Sequence, residues 1–209
     1  MVPRGLHSLY RRPRVERALA RHFNRAYYYG AERRIFGRSW LGHTTLKYPT
    51  DLWAYQELLA EVRPGAVLET GTYRGGSALF LATVLDALGA GEVVSVDTMR
   101  MAGLPEHPRI AYLTGSSIDP EIVDRVRAEI GAARPVVVIL DADHHRDHVL
   151  GELRAYADLV DPGSYMVVED TNVNGHPILP GYGPGPGEAV TQFLSEREDF
   201  VADLSLIHI

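Results

Sequence analysis

The stretch Val67-Leu-Glu-Thr-Gly-Thr-Tyr-Arg-Gly-Gly-Ser77 joins a short apolar run to a turn that is rich in glycine. The run is typical of a strand that is buried on both faces, and Glu69 falls where that strand would end. The glycines that follow permit a tight turn and a close approach of the backbone to a ligand, before a helix begins near Ser77. The stretch therefore predicts a strand, a ligand-binding turn and a helix in direct succession.

The rest of the chain repeats this alternation of strand and helix. Strands are predicted at 66–70, 92–97, 110–113, 136–141 and 164–169, and helices at 76–88, 120–131, 146–159 and 188–196. A final strand is predicted from Phe200 onwards. Strands that alternate with helices form a parallel sheet with helices on both faces. We therefore predict an α/β fold with a doubly wound, mostly parallel, Rossmann-like sheet.

Capping residues support several of these boundaries. Asp119 is expected to cap the helix that begins at Pro120, and Gly89 is expected to end the helix at 76–88. A further helix precedes the first strand, and Thr50 or Asp51 is expected to cap it.

The N-terminal segment differs in charge from the rest of the chain. Residues 1–38 hold ten arginines against Glu16 and Glu32, although the whole chain has a formal net charge of −6. Residues 13–36 look helical, with arginines on a solvated face, so we divide the chain into a basic helical arm at 1–39 and a folded domain at 40–209. An acidic body would repel a phosphate backbone, so we expect no nucleic-acid partner. A subunit contact, and hence a homo-oligomer, is the second use considered for the arm.

Composition narrows the class of protein. A chain of 209 residues with 45% hydrophobic residues can bury a substantial core. It has no cysteine, so any metal must be held by oxygen or imidazole ligands. No apolar run approaches the length of a membrane span, and the N-terminus lacks the apolar core of a signal peptide. We therefore expect a cytoplasmic protein with no membrane partner.

Acidic side chains follow four of the predicted strands, at the point where each strand ends. They are Glu69, Asp97, the pair Asp141 and Asp143, and the pair Glu169 and Asp170. Ligands of open parallel sheets bind outside the carboxyl ends of the strands. Any one of these acids could be a helix cap or a solvated loop residue, but four strand ends together predict a ligand site.

The second of these strand ends suits the ribose of a nucleoside. An acid at the position of Asp97 accepts hydrogen bonds from the two ribose hydroxyls, although the same placement serves NAD and a plain loop cap. Ser116 and Ser117 would then lie near an adenine, or could equally begin the helix at Pro120.

The later strand ends suit a metal. Leu140-Asp-Ala-Asp-His-His-Arg-Asp-His148 and Val168-Glu-Asp-Thr-Asn172 bring together up to four carboxylates and three imidazoles. Packed carboxylates repel one another, and a divalent cation such as Mg²⁺, Mn²⁺ or Ca²⁺ relieves that repulsion. His144 and His145 could make it a transition-metal site, but an unligated imidazole is more useful as a base for a substrate hydroxyl.

Three stretches resemble the cephalosporin hydroxylase family, which includes rhamnosyl O-methyltransferases and has the fold of the class I S-adenosylmethionine (SAM) methyltransferases. They are Leu140-Asp-Ala-Asp-His-His-Arg-Asp-His148, Val167-Val-Glu-Asp-Thr-Asn-Val-Asn-Gly175 and Leu46-Lys-Tyr-Pro-Thr-Asp-Leu-Trp53. The likeness runs from about Trp40 to Asp203. The glycine turn, Glu-x-Gly-x-x-x-Gly-Gly, resembles the first motif of the same class. More distantly, the chain is similar to the catechol-type, Mg²⁺-dependent O-methyltransferases.

The resemblance implies SAM and Mg²⁺, or another divalent cation, as cofactors, and a hydroxyl of a small molecule as methyl acceptor. It implies His144 as the general base. The implied SAM contacts are Glu69, Gly71 and Asp97. We predict that the same cofactor also contacts Thr72, Tyr73, Gly75, Ser77, Ser116, Ser117 and Asp141. The implied metal ligands are Asp141, Asp143, Glu169 and Asp170, with the choice between the two aspartates of the first pair left open.

Three functions compete at this point. A metal-dependent O-methyltransferase ranks first, ahead of a SAM-fold hydroxylase or accessory protein of natural-product biosynthesis. A hydroxylase could use an iron site of His144, His148 and Asp141. An NAD(P)-dependent oxidoreductase ranks third because the dinucleotide fingerprint Gly-x-Gly-x-x-Gly is missing. The acceptor could be a sugar hydroxyl, a catechol-like phenol or a small polar metabolite.

The last part of the chain raises two further expectations. Residues 175–187 contain four prolines and five glycines, which predicts a long loop, acting as a lid or a substrate wall. Members of the family generally close the sheet with an antiparallel hairpin, whereas this chain ends at Leu204-Ser-Leu-Ile-His-Ile209. We therefore expect the last strand to be short or missing, which would leave an open sheet edge.

Overall fold

The computed structural model of the chain describes residues 13–30 and 38–203. Strands β1 (Ser39–Trp40) and β2 (His43–Thr44) form a short antiparallel hairpin. The main strands are β3 (Ala66–Thr70), β4 (Glu92–Asp97), β5 (Ile110–Thr114), β6 (Val136–Leu140) and β7 (Met166–Val168). They form one sheet in the order β5-β4-β3-β6-β7, and every pair in it is parallel. The strand order reverses between β3 and β6, which makes the sheet doubly wound and confirms the predicted fold class.

Helices pack on both faces of this sheet. They are α2 (Pro49–Val62), α3 (Gly76–Leu88), α4 (Pro120–Ile130), α5 (Arg146–Tyr156) and α6 (Pro186–Glu196), with a 3₁₀ turn at Ala157–Leu159. A further helix, α1 (Pro13–Tyr29), precedes the β1–β2 hairpin. Among the described residues, none of these helices has the length and apolar character needed to cross a membrane.

The sheet separates two hydrophobic cores because successive side chains of a strand point to opposite faces. In β3, Leu68 packs into a core with α4, α5 and α6, while Val67 packs into a core with α2 and α3. Strand β6 is the apolar run Val136–Leu140, and all five of its residues are buried. Each buried side chain of this size stabilises the fold by about 1.5–3 kcal/mol, so the two cores fix the register of the sheet.

The central strands end together at one edge of the sheet. Thr70 pairs with Val96 on one side and with Leu140 on the other, and Leu140 pairs with Val168. The residues that follow these positions leave the sheet side by side. The turn after β3, the acid at the end of β4 and the acids after β6 and β7 therefore share one edge, as the sequence predicts.

Two cap predictions have different outcomes. Asp119 caps α4, and its carboxylate accepts a hydrogen bond from the backbone N–H of Glu121 at 2.9 Å. The prediction that Thr50 or Asp51 caps α2 is wrong. That helix begins at Pro49, and Tyr48 precedes it without a side-chain cap. Proline suits the first helical position because its φ is already set and it has no N–H to satisfy.

The predicted C-terminal strand is also wrong in the part that the structure describes. Residues 200–203 have no regular structure, and 204–209 lie outside the described residues. Phe200 packs instead on Phe193 of α6, with 5.2 Å between the ring centroids. Of the apolar side chains that suggested a strand, Phe200 is therefore used for packing against a helix, whereas Val201 is 86% exposed.

The N-terminal helix lies against the loop that follows β7. Arg25 donates a hydrogen bond to the Pro177 carbonyl at 3.2 Å, and the Leu179 N–H donates one to the Tyr29 hydroxyl at 2.9 Å. Helix is confirmed over Pro13–Tyr29, whereas the end of the predicted helix at 31–36 falls outside the described residues. The division into an arm at 1–39 and a domain at 40–209 stays a prediction.

Candidate active site

A cavity of about 610 Å³ lies outside the carboxyl ends of the strands. That volume is within the usual range for small-molecule and cofactor sites. Eight of the predicted cofactor residues line it: Gly71, Thr72, Tyr73, Ser77, Asp97, Ser116, Ser117 and Asp141. The structure thus brings most of the predicted set to one cavity.

The two remaining predicted cofactor residues, Glu69 and Gly75, are not among the lining residues. Glu69 is buried and accepts a hydrogen bond from the Ser95 hydroxyl at 2.7 Å, and that hydroxyl lies 2.7 Å from Thr72 Oγ1. Burial raises the pKa of Glu69, and hydrogen bonds from Ser77 and Ser95 offset part of the rise. Gly75 is the N-cap residue that precedes α3, with a φ of +73°. Glu69 therefore supports the turn from its buried side, through Ser95 and Thr72.

The turn after β3 is held by hydrogen bonds at both ends. The Gly71 N–H donates to the Val96 carbonyl at 2.8 Å, with a φ of +91° at Gly71. The Tyr73 N–H donates to Asp97 Oδ2 at 2.8 Å, and the Met99 N–H donates to Asp97 Oδ1 at 3.1 Å. The carboxylate of Asp97 thus orders the loops around the predicted ribose position, in addition to facing the cavity.

A buried polar cluster supports the far wall of the cavity. The Ser117 hydroxyl donates to Glu152 at 2.5 Å, and His148 Nε2 lies 3.1 Å from the same hydroxyl. Glu152 is fully buried, and its hydrogen bond to His148 raises the pKa of that imidazole. Sequence reasoning missed Glu152, for which the only signal was its spacing of four residues from His148 on one helix.

The acidic residues after β6 and β7 form the second half of the site. Asp141, His144 and Asp170 each offer a ligand atom, and these three atoms lie within 4.8 Å of one another. His144 Nε2 is 3.3 Å from Asp170 Oδ2. Asp170 has a φ of +52°, a left-handed conformation that is uncommon outside glycine and that aspartate tolerates better than most residues. Two predicted metal ligands and the predicted base are therefore neighbours.

The other two predicted ligands are placed differently. The carboxylate of Asp143 accepts hydrogen bonds from the backbone and the ring of His145, at 2.9 and 2.5 Å, just before α5 begins at Arg146. The group of Asp141, His144 and Asp170 does not include it. Glu169 lies beside that group, but its carboxylate is engaged by Lys47 and Tyr55. Whether Asp143 or Glu169 binds a metal stays a prediction.

Lys47 is the main residue that the sequence analysis did not single out. Its ammonium group donates to Asp141 Oδ2 at 2.7 Å and to Glu169 Oε1 at 2.6 Å, and only 6% of the residue is exposed. The Tyr55 hydroxyl also donates to Glu169. The resemblance did include the stretch around Lys47, but the separation in sequence gave no sign that it pairs with Asp141 and Glu169.

The two acids that share Lys47 differ in proton affinity. Burial raises the pKa of Asp141, and the attraction of Lys47 offsets only part of the rise. Burial also acts to raise the pKa of Glu169, but Lys47 and the hydrogen bond from Tyr55 outweigh it, so the pKa falls below its usual value. We attribute the difference to the second donor, because Glu169 accepts from both Lys47 and Tyr55.

This side-chain set fits a divalent cation. Carboxylate oxygens are the ligands that Mg²⁺, Mn²⁺ and Ca²⁺ prefer, and Asp141 and Asp170 are close enough to share one ion. Burial raises the pKa of Asp141 and Asp170, and the positive charge of Lys47 offsets only part of the rise, so more positive charge would stabilise the ionised carboxylates. A cation would supply that charge.

A larger cavity, of about 1100 Å³, opens on the other side of the acidic residues. Its walls include Phe23 and Asn24 of α1, Tyr48, Asp51 and Asn172. The two cavities share Leu46, Lys47, Asp141 and Asp170. Two molecules, one in each cavity, would therefore come together beside these acidic residues.

The fold is that of the class I methyltransferases. A solved structure of CmcI with Mg and SAM has a TM-score of 0.66 and 19% sequence identity to this chain, covering 86% of it and 77% of the CmcI chain. The chain belongs to the rhamnosyl O-methyltransferase/CmcI family, whose family model matches residues 34–208. The resemblance drawn from the sequence is thus confirmed.

Two further relatives bear on function. The rhamnosyl O-methyltransferase of Mycobacterium tuberculosis is 39% identical over 163 residues, which are 76% of this chain and 66% of that protein. The chain thus spans just under two thirds of that relative's length. MycE from the mycinamycin biosynthetic pathway, solved with Mg, SAH and mycinamycin VI, has a TM-score of 0.53 and 25% identity, covering 68% of this chain and 41% of MycE.

Proposed function

We propose that this chain is a SAM-dependent O-methyltransferase that needs a divalent cation and methylates a hydroxyl of a small molecule. The observation that carries the proposal is the position of Asp141 and Asp170 at the junction of two cavities. One cavity has the acid and turn expected for SAM, and the other has room for an acceptor. Membership of a family that includes rhamnosyl O-methyltransferases supports the same conclusion.

The residues of the first cavity have separate tasks in this proposal. Asp97 holds the ribose hydroxyls, and the turn from Gly71 to Tyr73 passes the methionine end. Ser116 and Ser117 face the adenine, with Ser117 fixed by Glu152. These assignments rest on the lining of the cavity and on the resemblance.

The acidic residues and His144 have the chemical task. Asp141 and Asp170 hold the cation, with Glu169 beside them. When bound, the cation polarises an acceptor hydroxyl and SAM supplies the methyl group. His144 takes the hydroxyl proton, because its ring lies beside Asp141 and Asp170, the two acids that line both cavities. The acceptor is proposed to be a sugar or another hydroxyl of a natural product.

The experiment combines binding with turnover. Calorimetry with SAM and with NAD separates a methyltransferase from an oxidoreductase, and only SAM is expected to bind. Transfer of a labelled methyl group from SAM is then measured on rhamnosides, other glycosides and catechols, with and without excess EDTA. Activity is expected to stop in EDTA and return with Mg²⁺. Full turnover in excess EDTA would refute the requirement for a cation.

The iron-hydroxylase alternative has less support. It needs His148 beside His144 and Asp141, but in the described part of the chain His148 is engaged with Ser117 and Glu152. The group of nearby ligand atoms contains His144 without His148.

We also propose a cellular location and an oligomeric state. The protein is expected to act in the cytoplasm and to form a homo-oligomer. Support for a subunit contact comes from α1, where Leu19 and Phe23 are 47% and 46% exposed. Light scattering on the full chain and on a Leu19→Glu variant tests it, and a monomeric wild-type protein would overturn it.

A further inference from the structure

Lys47 is a buried cation placed among the acids that are proposed to hold a metal. It comes from the segment between the β1–β2 hairpin and α2, and its ammonium group reaches across to the ends of β6 and β7. Lysine is almost never buried to this extent without partners, because desolvating the ammonium group is costly. Its two partners, Asp141 and Glu169, are 94 and 122 residues away in the sequence.

We propose that Lys47 is an internal counter-cation, which holds the Asp141–Glu169 pair in the metal-free protein and gives up at least the Asp141 oxygen when a divalent cation binds. The inference rests on the proposed cation site. It assigns a positioning role to Lys47, which acts through the two carboxylates that it contacts.

The charges at the site show why such a residue is needed. Asp141, Glu169 and Asp170 carry three negative charges when ionised, and Lys47 neutralises one of them. Without Lys47 and without a metal, the three carboxylates would face one another in a poorly solvated space, which strongly disfavours the ionised forms. Lys47 thus lets the metal-free protein fold with the acidic residues in place.

Asp141 contacts Lys47 and is also a proposed metal ligand, so Lys47 and the metal ion compete for its carboxylate. It contacts the ammonium group at 2.7 Å and is also one of the three residues whose ligand atoms lie within 4.8 Å of one another. Two cations that share one carboxylate repel each other, and the repulsion is strong where solvent is scarce. A divalent ion at Asp141 therefore weakens the hold of Asp141 on Lys47.

The structure also offers a place for the displaced ammonium group. Its nitrogen lies 5.7 Å from the centroid of the Tyr55 ring, and the Tyr55 hydroxyl donates to Glu169. Lysine has a flexible stem, and an ammonium group over an aromatic face is stabilised. Lys47 can therefore leave Asp141 and stay against Tyr55 and Glu169. It stays charged, since the surrounding acids outweigh burial and keep the pKa of Lys47 well above its usual range.

The test compares metal binding in the full-length wild-type protein, Lys47→Gln, Lys47→Met and Lys47→Arg, by calorimetry with Mg²⁺ and with Mn²⁺ after chelation and dialysis. Gln and Met remove the charge, whereas Arg keeps it and serves as the matched control. Loss of the competing charge is expected to tighten Mg²⁺ binding by about tenfold or more, with Lys47→Arg within about threefold of wild type. The unfolding temperature without metal is expected to fall in Lys47→Gln and Lys47→Met, and the rise on adding Mg²⁺ is expected to be larger than in wild type.

Each outcome decides the matter. A lysine with a merely structural role would, on removal, leave the Mg²⁺ affinity unchanged or weaker, and either result overturns the inference. If both neutral variants fail to fold without metal, refolding with Mg²⁺ is expected to rescue them, and failure of that rescue also overturns it. If wild-type protein binds neither Mg²⁺ nor Mn²⁺, the proposed cation site fails together with the inference. If the wild-type protein binds the metal but the neutral variants do not bind it more tightly, the inference about Lys47 fails while the proposed cation site stands.

Discussion

Gly71 lies against the carbonyl of Asp141, so closely that a Cβ atom at residue 71 would come well under 3.0 Å from that oxygen. The Asp141 N–H in turn donates to the Thr70 carbonyl at 3.1 Å, so the two loops are fixed to each other at the reversal of strand order. The turn that is predicted to bind the cofactor is therefore in direct contact with the first predicted metal ligand.

Gly71→Ala is expected to cost about 3 kcal/mol or more of stability, because it adds a clash with backbone to a left-handed φ of +91°. Gly89→Ala is the matched control. Gly89 has a similar φ of +81° but open space around the added atom, so the expected cost is about 1–2 kcal/mol. Urea unfolding measures both, and equal costs would show that the contact with Asp141 is unimportant.

Asp97→Ala is expected to weaken SAM binding by about 1.5–3 kcal/mol through loss of charged hydrogen bonds. Part of the loss arises because the Tyr73 and Met99 N–H groups lose their acceptor. The control is Asp86→Ala, which removes an exposed aspartate on α3 that pairs with Arg109. Calorimetry with SAM is the measurement, and unchanged affinity in Asp97→Ala would count decisively against the ribose position.

His144→Ala is expected to lower turnover by about 10²–10⁴-fold, with little effect on the affinity for SAM. His145→Ala is the control, since His145 turns to Asp143 and stacks on Tyr182 at 5.4 Å between ring centroids. Mg²⁺ titration separates a base from a ligand. A marked loss of Mg²⁺ affinity in His144→Ala would make it a ligand, and near-normal turnover would remove it from the mechanism.

Asp51→Asn is expected to stabilise the metal-free protein at pH 8 and not at pH 4. Burial and the charge of Glu169 raise the pKa of Asp51 from 3.8 to about 7. A carboxyl that holds its proton more tightly when folded destabilises the fold as the pH rises past 3.8, and the penalty is complete above about 7. The expected gain at pH 8 is about 1–4 kcal/mol.

Urea unfolding in EDTA at the two pH values measures this difference. Asp147→Asn is the control, because Asp147 is highly exposed, and its effect is expected to stay within about 0.5 kcal/mol at both values. An equal gain from Asp51→Asn at pH 4 and pH 8 would show that ionisation of Asp51 is not the cause.

Much of the fold follows from local sequence. The unbroken apolar run Val136–Leu140 is typical of a central strand, and Asp119 before Pro120 is a strong signal for a helix start. The same signals predict that the acidic residues of the site lie at the strand ends, because the length of a strand fixes where the chain leaves a parallel sheet. Local signals failed where tertiary packing decides, as at Phe200, which meets Phe193 rather than a strand.

The site was predicted as a set of residues rather than as a set of contacts. Asp141 and Asp143 could not be distinguished, because strand alternation ends at Leu140 and the loop sends Asp143 to His145. Lys47 was not singled out because its contacts with Asp141 and Glu169 depend on the folded chain. Pairing of this kind has no periodicity or spacing that a sequence displays.

The left-handed backbone at Asp170 sets stability and activity against each other at a single position. Glycine would relax the strain there and remove a carboxylate from a crowded acidic group, so a selection for thermal tolerance alone would favour Asp170→Gly. The same change would delete a proposed metal ligand. Directed evolution of the protein for robustness is therefore expected to lose the proposed methyl transfer through changes at residue 170, unless that activity is scored in every round.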